Sequence, residues 1–331
     1  MLRRDALLLT ALPVLAACSR GAHQPVTTSD PSPRSASEPW LTHLDRAHPL
    51  VGKLCDAASG ALVAPELVAK RAAASRYVLV GERHDNPDHH RLQARALNWM
   101  VKAGRMPTVA FEMLEVEQQA LVDAHGPASG VQASQLGAAL GWEKTSWPPY
   151  SEYQPIFEVA LQAGLRIAAA NLSQADAKAL VKQGLSALPP ERVQQLRLDG
   201  AFPDSLQQAL LAELKDSHCG QLPESLLAPM ALAQHARDAQ MAAVLAQAGA
   251  QGALLIAGAG HARKDRGVPY YLALQAPGAS VLSVAVQEVD GARREPQDYL
   301  ERHPHSAPPF DYLWFTPRLS DEDPCAAFKA K

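Results

Sequence analysis

Four short apolar runs recur along the chain, Tyr77–Val80, Thr108–Glu112, Arg166–Ala170 and Ala253–Ala257, each ending at a polar or glycine-containing loop. Their length and their β-branched and aromatic content predict buried strands. Between them, apolar residues fall at helical spacing. Leu92, Ala96, Leu97 and Met100 mark a helix from about His89 to Ala103, which Asn86 or Asp88 can cap. Further helices are predicted over Ala64–Arg76 and Val116–Ala124, up to Ala163, from Ser173 onward, and over Pro223–Ala248 with Pro229 as the place for a kink. Val281–Val289 alternates and reads as the final strand. Strands alternating with helices predict an α/β fold, a mostly parallel sheet flanked by helices, with the first two strands as parallel neighbours. Short amphipathic helices broken by prolines between Leu185 and Leu222 predict a smaller all-helical subdomain inserted in that framework. The α/β rhythm lapses from Gly126 to Gln154. There Trp142, Trp147, Tyr150 and Tyr153 stand among Pro148, Pro149 and Pro155, which predicts a stiff aromatic loop.

The first residues carry a different pattern. Arg3 and Arg4 precede an apolar stretch, Ala6–Ala17, too short to span a bilayer as a mature helix, and the stretch ends Leu15-Ala16-Ala17-Cys18. This resembles the bacterial lipoprotein signal, in which small residues admit the peptidase and the cysteine accepts lipid. Residues 1–17 are then the signal peptide and Cys18 the lipidation site. Ser19, where an Asp would retain the protein at the inner membrane, resembles the Gram-negative pattern for the outer membrane, with the protein facing the periplasm. Residues 18–39, rich in Ser, Thr and Pro, read as a flexible tether, residues 40–290 as the domain, and 291–331 as a charged, Pro-rich tail ordered only by docking.

Composition narrows the functions. A formal charge of −3 with both signs interspersed, and no basic stripe, argues against a nucleic-acid partner. The chain has no Cys-x-x-Cys, Walker loop or Gly-x-Ser-x-Gly elbow, and its Gly258-Ala-Gly260 lacks the third glycine of a dinucleotide fingerprint. Beyond Cys18, the three cysteines Cys55, Cys219 and Cys325 permit one disulfide, in any of three pairings.

The candidate chemistry lies where the strands end. Glu82 and His84 follow the first strand, Glu112 closes the second, Asn171 the third, and His261, Arg263 and Lys264 follow the fourth. One such residue alone is an ordinary cap. Four strands that all end this way predict one functional rim at the carboxyl edge of the sheet, where open α/β folds bind ligands. Glu82, His84, Glu112 and His261 can hold a divalent metal ion or perform general acid–base work. The aromatic loop suits a flat apolar ligand such as haem, for which tyrosine is a known iron ligand and Lys, Arg or His a partner for propionates. Arg237 falls on the apolar stripe of its helix beside Asp238 and calls for a carboxylate or an anionic ligand.

Gly81-Glu-Arg-His-Asp-Asn-Pro-Asp-His-His90, Phe111-Glu-Met113, Gly141-Trp142 to Trp147-Pro148, Tyr153-x-Pro155, Ala170-Asn-Leu172, Ser217-His-Cys-Gly220, Ala236-Arg-Asp-Ala239 and Gly258-x-Gly-His261-x-x-Lys-Asp-x-Gly-Val-Pro269 together resemble the ChaN family of haem-binding lipoproteins. That resemblance, over Tyr77 to about Val289, implies a parallel sheet with a smaller helical domain and a homodimer that forms on binding haem. It implies paired haems held by tyrosine, service to an outer-membrane haem transporter, and haem or iron uptake. Carried onto this chain it makes Tyr153 the first choice for the haem iron, with Tyr150 and Tyr271 behind it. The resemblance also implies propionates held by a histidine and a lysine of the partner subunit, which makes His261 and Lys264, with Arg263 adjacent, the choices for them. The Gly-Glu-x-His and Gly-x-x-His pair also resembles a broader superfamily of erythromycin-esterase-like and Tiki-type hydrolases, which keeps a hydrolase using Glu82, His84, Glu112 and His261 as the alternative. A third reading treats the rim as a docking surface for a protein partner.

Overall fold

The computed structural model describes residues 39–301, 307–323 and 325–326. The signal segment, Cys18 and the tether up to residue 38 lie outside the described residues. Eight strands form one sheet in the order β2-β1-β8-β7-β3-β6-β4-β5. They are β1 (Leu54–Asp56), β2 (Leu62–Val63), β3 (Tyr77–Glu82), β4 (Thr108–Glu115), β5 (Ile167–Asn171), β6 (Ala253–Gly258), β7 (Val281–Glu288) and β8 (Tyr312–Thr316). From β8 to β5 every pairing is parallel, while β1 runs antiparallel to both β8 and β2. The mostly parallel α/β sheet expected from the alternation of elements is therefore present.

The helices cover both faces. They are α1 (Pro65–Ala74), α2 (Pro87–Lys102), α3 (Gln119–Ala124), α4 (Ala133–Ala139), α5 (Tyr150–Gln162), α6 (Gln174–Gln183), α7 (Pro190–Gln195), α8 (Asp204–Ser217), α9 (Glu224–Ala246), α10 (Ala259–Ala262) and α11 (Val268–Gln275). Successive strand residues point to opposite faces, so each central strand feeds two cores. Val78, Val80, Val109, Phe111, Leu254 and Ile256 pack with α2 and α5 through Leu97, Met100, Ile156 and Phe157. Tyr77, Leu79, Ala110 and Leu255 pack on the other face with α6, α9 and α11 through Leu180, Ala239, Met241 and Leu272. Burying a Leu or Phe side chain in such a core contributes about 1.5–3 kcal/mol.

Three expectations are corrected. The strands β3 and β4 are not neighbours, because β6 lies between them and pairs with both. Leu254, Leu255 and Ile256 are apolar on both faces, which suits β6 to the centre of the sheet. The aromatic segment is not a loop throughout, since α5 already begins at Tyr150 and carries Tyr153 and Pro155 inside it. Pro155 lies in the second turn, where it removes one intrahelical hydrogen bond. The sheet also does not end at β7: Tyr312–Thr316, in the supposed tail, pairs with β7 on one side and β1 on the other. A disulfide joins Cys219, just past α8, to Cys325, and leaves Cys55 buried as a free thiol. Among the described residues no helix is long and apolar enough to cross a membrane.

Candidate functional site

The carboxyl edge of the parallel strands is built by short segments with local reasons for their shape. β3 ends at Glu82, and Asn86 caps α2 by accepting from the Asp88 amide. Pro87 then sits at the first helical position, where its missing N–H costs nothing. His89 Nδ1 receives the Arg83 amide at 2.9 Å, and its Nε2 meets Thr316 Oγ1 on β8 at 2.9 Å. Burial pushes the His89 ring down to about 3, so it stays neutral as a structural clamp. Gly81 must be glycine because a Cβ there would stand 2.7 Å from the Ala259 Cα. That close approach lets α10 fold over β3 and delivers His261 to the rim.

Seven ionisable side chains form one row across this edge, carboxylate and imidazole in alternation. Glu152 Oε2 lies 3.6 Å from His90 Nδ1, and His90 Nε2 lies 3.3 Å from Glu82 Oε2 without the alignment of a hydrogen bond. Glu82 Oε1 is 2.8 Å from His84 Nδ1 and also accepts from the Tyr153 hydroxyl at 2.8 Å. His84 Nε2 is 3.8 Å from Glu112 Oε2. Glu112 Oε1 is 3.2 Å from His261 Nε2, and His261 Nδ1 closes on Asp238 Oδ1 at 2.6 Å. Glu112 Oε2 accepts the Gly258 amide at 2.7 Å, and Asn171 donates its side-chain amide to the Glu112 backbone carbonyl at 2.8 Å.

Charge in the row follows from these contacts. Burial is the strongest influence on Glu112 and opposes ionisation, yet His261, His84 and the Gly258 amide together hold its carboxyl well below the usual range. Burial likewise works against a charged His261, but Glu112 and Asp238 outweigh it and lift the ring to about 10. Asp238 is raised by burial to about 6, with His261 pulling the other way. At neutral pH this end of the row is a carboxylate–imidazolium–carboxylate triad. Glu82 is held low against its burial by His90 and His84. His84, the one imidazole of the row with a substantial exposed fraction, is raised, because the contacts to Glu82 and Glu112 outweigh its burial. Its ring meets the Trp147 ring edge-on at 4.9 Å. Among the described residues no group of three or more His, Cys, Asp or Glu side chains is arranged to hold a metal ion.

The structure thus brings Glu82, His84, Glu112, Asn171, His261 and Tyr153 together. Others of the expected residues lie apart or are already engaged. Tyr153 is fully buried, stacked on His90 at 3.9 Å, and burial followed by the nearby Glu82 pushes its phenol far up. Tyr150 is buried with its hydroxyl donating to the Ala133 carbonyl at 2.6 Å. Tyr271 is buried beneath α9, and burial and then Asp238 push its phenol up. Lys264 donates to Asp311 at 2.8 Å, and Arg263 is clasped by Asp265 and Glu301 over the Phe310 ring. His261 lies between two carboxylates and not at a surface.

Sequence reasoning missed Glu152 as a member of the row, counted His90 only among the ionisable residues crowded after the first strand, and took Asp238 only as the neighbour of Arg237. It also overlooked a groove beside the row. Between α6, α8 and α9 lies a cavity of about 390 Å³ with apolar walls from Ala177, Val181, Leu214, Met230 and Ala233. Lys178, Lys182 and Arg237 also line it, as does Gln234, whose amide nitrogen lies 3.2 Å from His261 Nδ1. The signal in the sequence was two lysines four apart beside the helical stripe that contains Arg237.

The model of a family described as "Haem-binding uptake, Tiki superfamily, ChaN" matches residues 68–272. Among solved structures, the chain is similar to ChaN of Campylobacter jejuni, described with cofacial haem binding, at 22% identity and a TM-score of 0.63 over 79% of this chain and 95% of that one. It also matches the type III effector HopBA1 at 14% identity and a TM-score of 0.38, over 76% of this chain and 91% of that one. An erythromycin esterase in its open conformation matches at 14% identity and 0.37, over 67% and 72%. No curated protein matches the sequence.

Proposed function

The chain belongs to the ChaN family of haem-binding uptake proteins in the Tiki superfamily, and from that membership we propose that it binds haem at the face where the rim meets the helical groove. The observation that carries this reading is the groove itself, a cavity of about 390 Å³ whose apolar walls and cationic residues match a flat macrocycle with acidic edges. Val181, Leu214 and Met230 would take the macrocycle, and bound haem would supply the iron that uptake requires. Tyrosine is the iron ligand the resemblance implies, and Tyr153 remains the first candidate. To serve, its phenol must leave Glu82, which ties haem ligation to a rearrangement of the row.

Lipid attachment at Cys18, an outer-membrane location facing the periplasm, dimerisation on haem and delivery to or from a haem transporter are parts of the same proposal. They are supported by the N-terminal sequence and the family. A hemin titration with size-exclusion chromatography tests the core of it. Hemin should develop a Soret band in a high-spin, tyrosinate-like form with a shift toward dimer, and Tyr153→Phe should weaken it. Absorbance no different from a hemin blank overturns the reading. Loss of membrane fractionation in Cys18→Ser tests the anchor.

A second reading rests on a separate observation. Glu82 holds His84 by Nδ1, and its Nε2 faces Glu112 at 3.8 Å in a ring that is partly exposed. A carboxylate-oriented imidazole with its second nitrogen free of a hydrogen bond is the arrangement of a metal-free general base. Ester turnover abolished by His84→Gln would support it, and none in the wild type removes it.

A further inference from the structure

The chain enters the domain at the same edge of the sheet that carries the row. The described residues begin at Pro39, and three sets of contacts fix the entering segment in place. The Asp88 carboxylate, buried in the first turn of α2, accepts the Leu41 amide at 3.0 Å, the Thr42 amide at 2.8 Å and the Thr42 hydroxyl at 2.7 Å. Arg91 joins the Pro39 carbonyl at 3.0 Å to Asp88 Oδ1 at 3.2 Å. Arg318, just beyond β8, donates its amide to the Leu44 carbonyl at 3.0 Å and its guanidinium to Asp45 at 2.7 Å. Both β3 and β8 belong to the parallel set, so their carboxyl ends lie on one edge. Glu82 closes β3, and His90 lies two residues beyond Asp88 on α2. The entry point and the row are therefore neighbours.

A buried carboxylate that loses its donors is left as an unpaired charge, so the contacts to Asp88 resist release of the segment. Trp40 also packs against the core. Residues 18–38 supply 38 − 17 = 21 residues between the lipid acceptor and this fixed point. A coil of that length reaches about 25 Å root-mean-square, whereas a domain of this size is roughly 45 Å across. Turning the opposite edge of the sheet, where Met106 precedes β4, toward the anchored surface requires the tether to stretch around the whole body, at a cost in chain entropy. The side chains at the entry point suit a lipid surface. Leu41 is 53% exposed. Beside it the Arg46 guanidinium is held by the Trp40 and Thr42 carbonyls and the His43 ring, with no carboxylate partner among the described residues. An apolar side chain next to a fixed cation matches the headgroup layer of an anionic bilayer.

We infer that the rim faces the lipid surface to which the chain is tied, so that ligand enters and leaves the row from the membrane side. This rests on the lipid-anchor part of the function proposed above and is independent of which ligand the rim takes.

The test uses the full lipidated chain in vesicles of phosphatidylethanolamine and phosphatidylglycerol that carry a nitroxide-headgroup lipid as quencher. A bimane label is placed at Ser146→Cys, beside Trp147 at the rim, or at Met106→Cys on the opposite edge. Both positions are exposed, and the native thiols are lipidated, disulfide-bonded or buried, so only the introduced cysteine reacts. Quenching at position 146 should exceed that at position 106 by about twofold or more, given the reach of the tether. Cys18→Ser, which cannot be lipidated, should show quenching at neither. Equal quenching at the two positions, or stronger quenching at 106, overturns the orientation while the anchor stands. A wild-type chain that fails to float with the vesicles removes the anchor reading, and the orientation falls with it.

Discussion

Glu112 and His261 meet at 3.2 Å across the carboxyl edge of the sheet, one from β4 and the other from the short helix after β6, and each determines the charge of the other. Neither is tolerable alone: a buried carboxylate or a buried imidazolium without its partner carries the full cost of leaving water. Their pairing converts two liabilities into the fixed end of the polar row.

That pairing predicts an alkaline stability limit. The His261 ring rises from an ordinary 6.5 to about 10 in the fold, so the folded state binds its proton more tightly than the unfolded state does. The resulting stability is fully present below pH 6.5 and is lost as pH rises through about 10. Melting temperatures of wild type should fall between pH 8 and pH 10.5 more steeply than those of His261→Gln. Parallel slopes would contradict this.

Tyr153 is placed to stabilise, whatever else it does. Tyr153→Phe removes the donor to Glu82 Oε1 in a buried setting. Chemical denaturation should show a loss of about 1–3 kcal/mol. A variant as stable as wild type would mean that Glu82 finds another donor.

Glycine at two positions separates backbone crowding from side-chain crowding. A Cβ at Gly81 meets the Ala259 backbone at 2.7 Å, while one at Gly258 meets the His84 ring at 2.8 Å. Because a side chain yields more readily than backbone, Gly81→Ala should cost about 3 kcal/mol or more and Gly258→Ala about 1 kcal/mol. The second should also displace His84, visible as a change in its imidazole NMR titration. The opposite ranking would refute the packing argument.

The bond between Cys219 and Cys325 closes a span of 106 residues. Reduction should lower stability by about 2–5 kcal/mol and the Tm by roughly 4–10 °C. Cys55 should stay silent to maleimide until unfolding, since burial lifts its thiol to about 11. Labelling of native protein at Cys55 would argue against its burial.

Much of the rim could be read along the chain because parallel strands obey a local rule. A short apolar run ending in a polar residue places that residue at the carboxyl edge, so Glu82, Glu112, Asn171 and His261 could be collected before any coordinates. The α/β alternation was legible for the same reason, since periods of 2 and 3.6 are properties of neighbouring residues.

The amino-acid sequence by itself determined the five strands from β3 to β7, most of the helices around them, the family and the residues that gather at one edge. Only the tertiary structure decided that β6 separates β3 from β4, that Tyr312–Thr316 joins the sheet, and that Cys219 selects Cys325. It alone decided which ionisable groups are spent on one another: His261 lies between Glu112 and Asp238 and Lys264 is paired with Asp311, while Lys178, Lys182 and Arg237 line a groove. The physical reason is range. Propensity and periodicity act between neighbours in the chain, whereas the charge a side chain carries and the partner it finds depend on distances between segments that meet only once the core has formed.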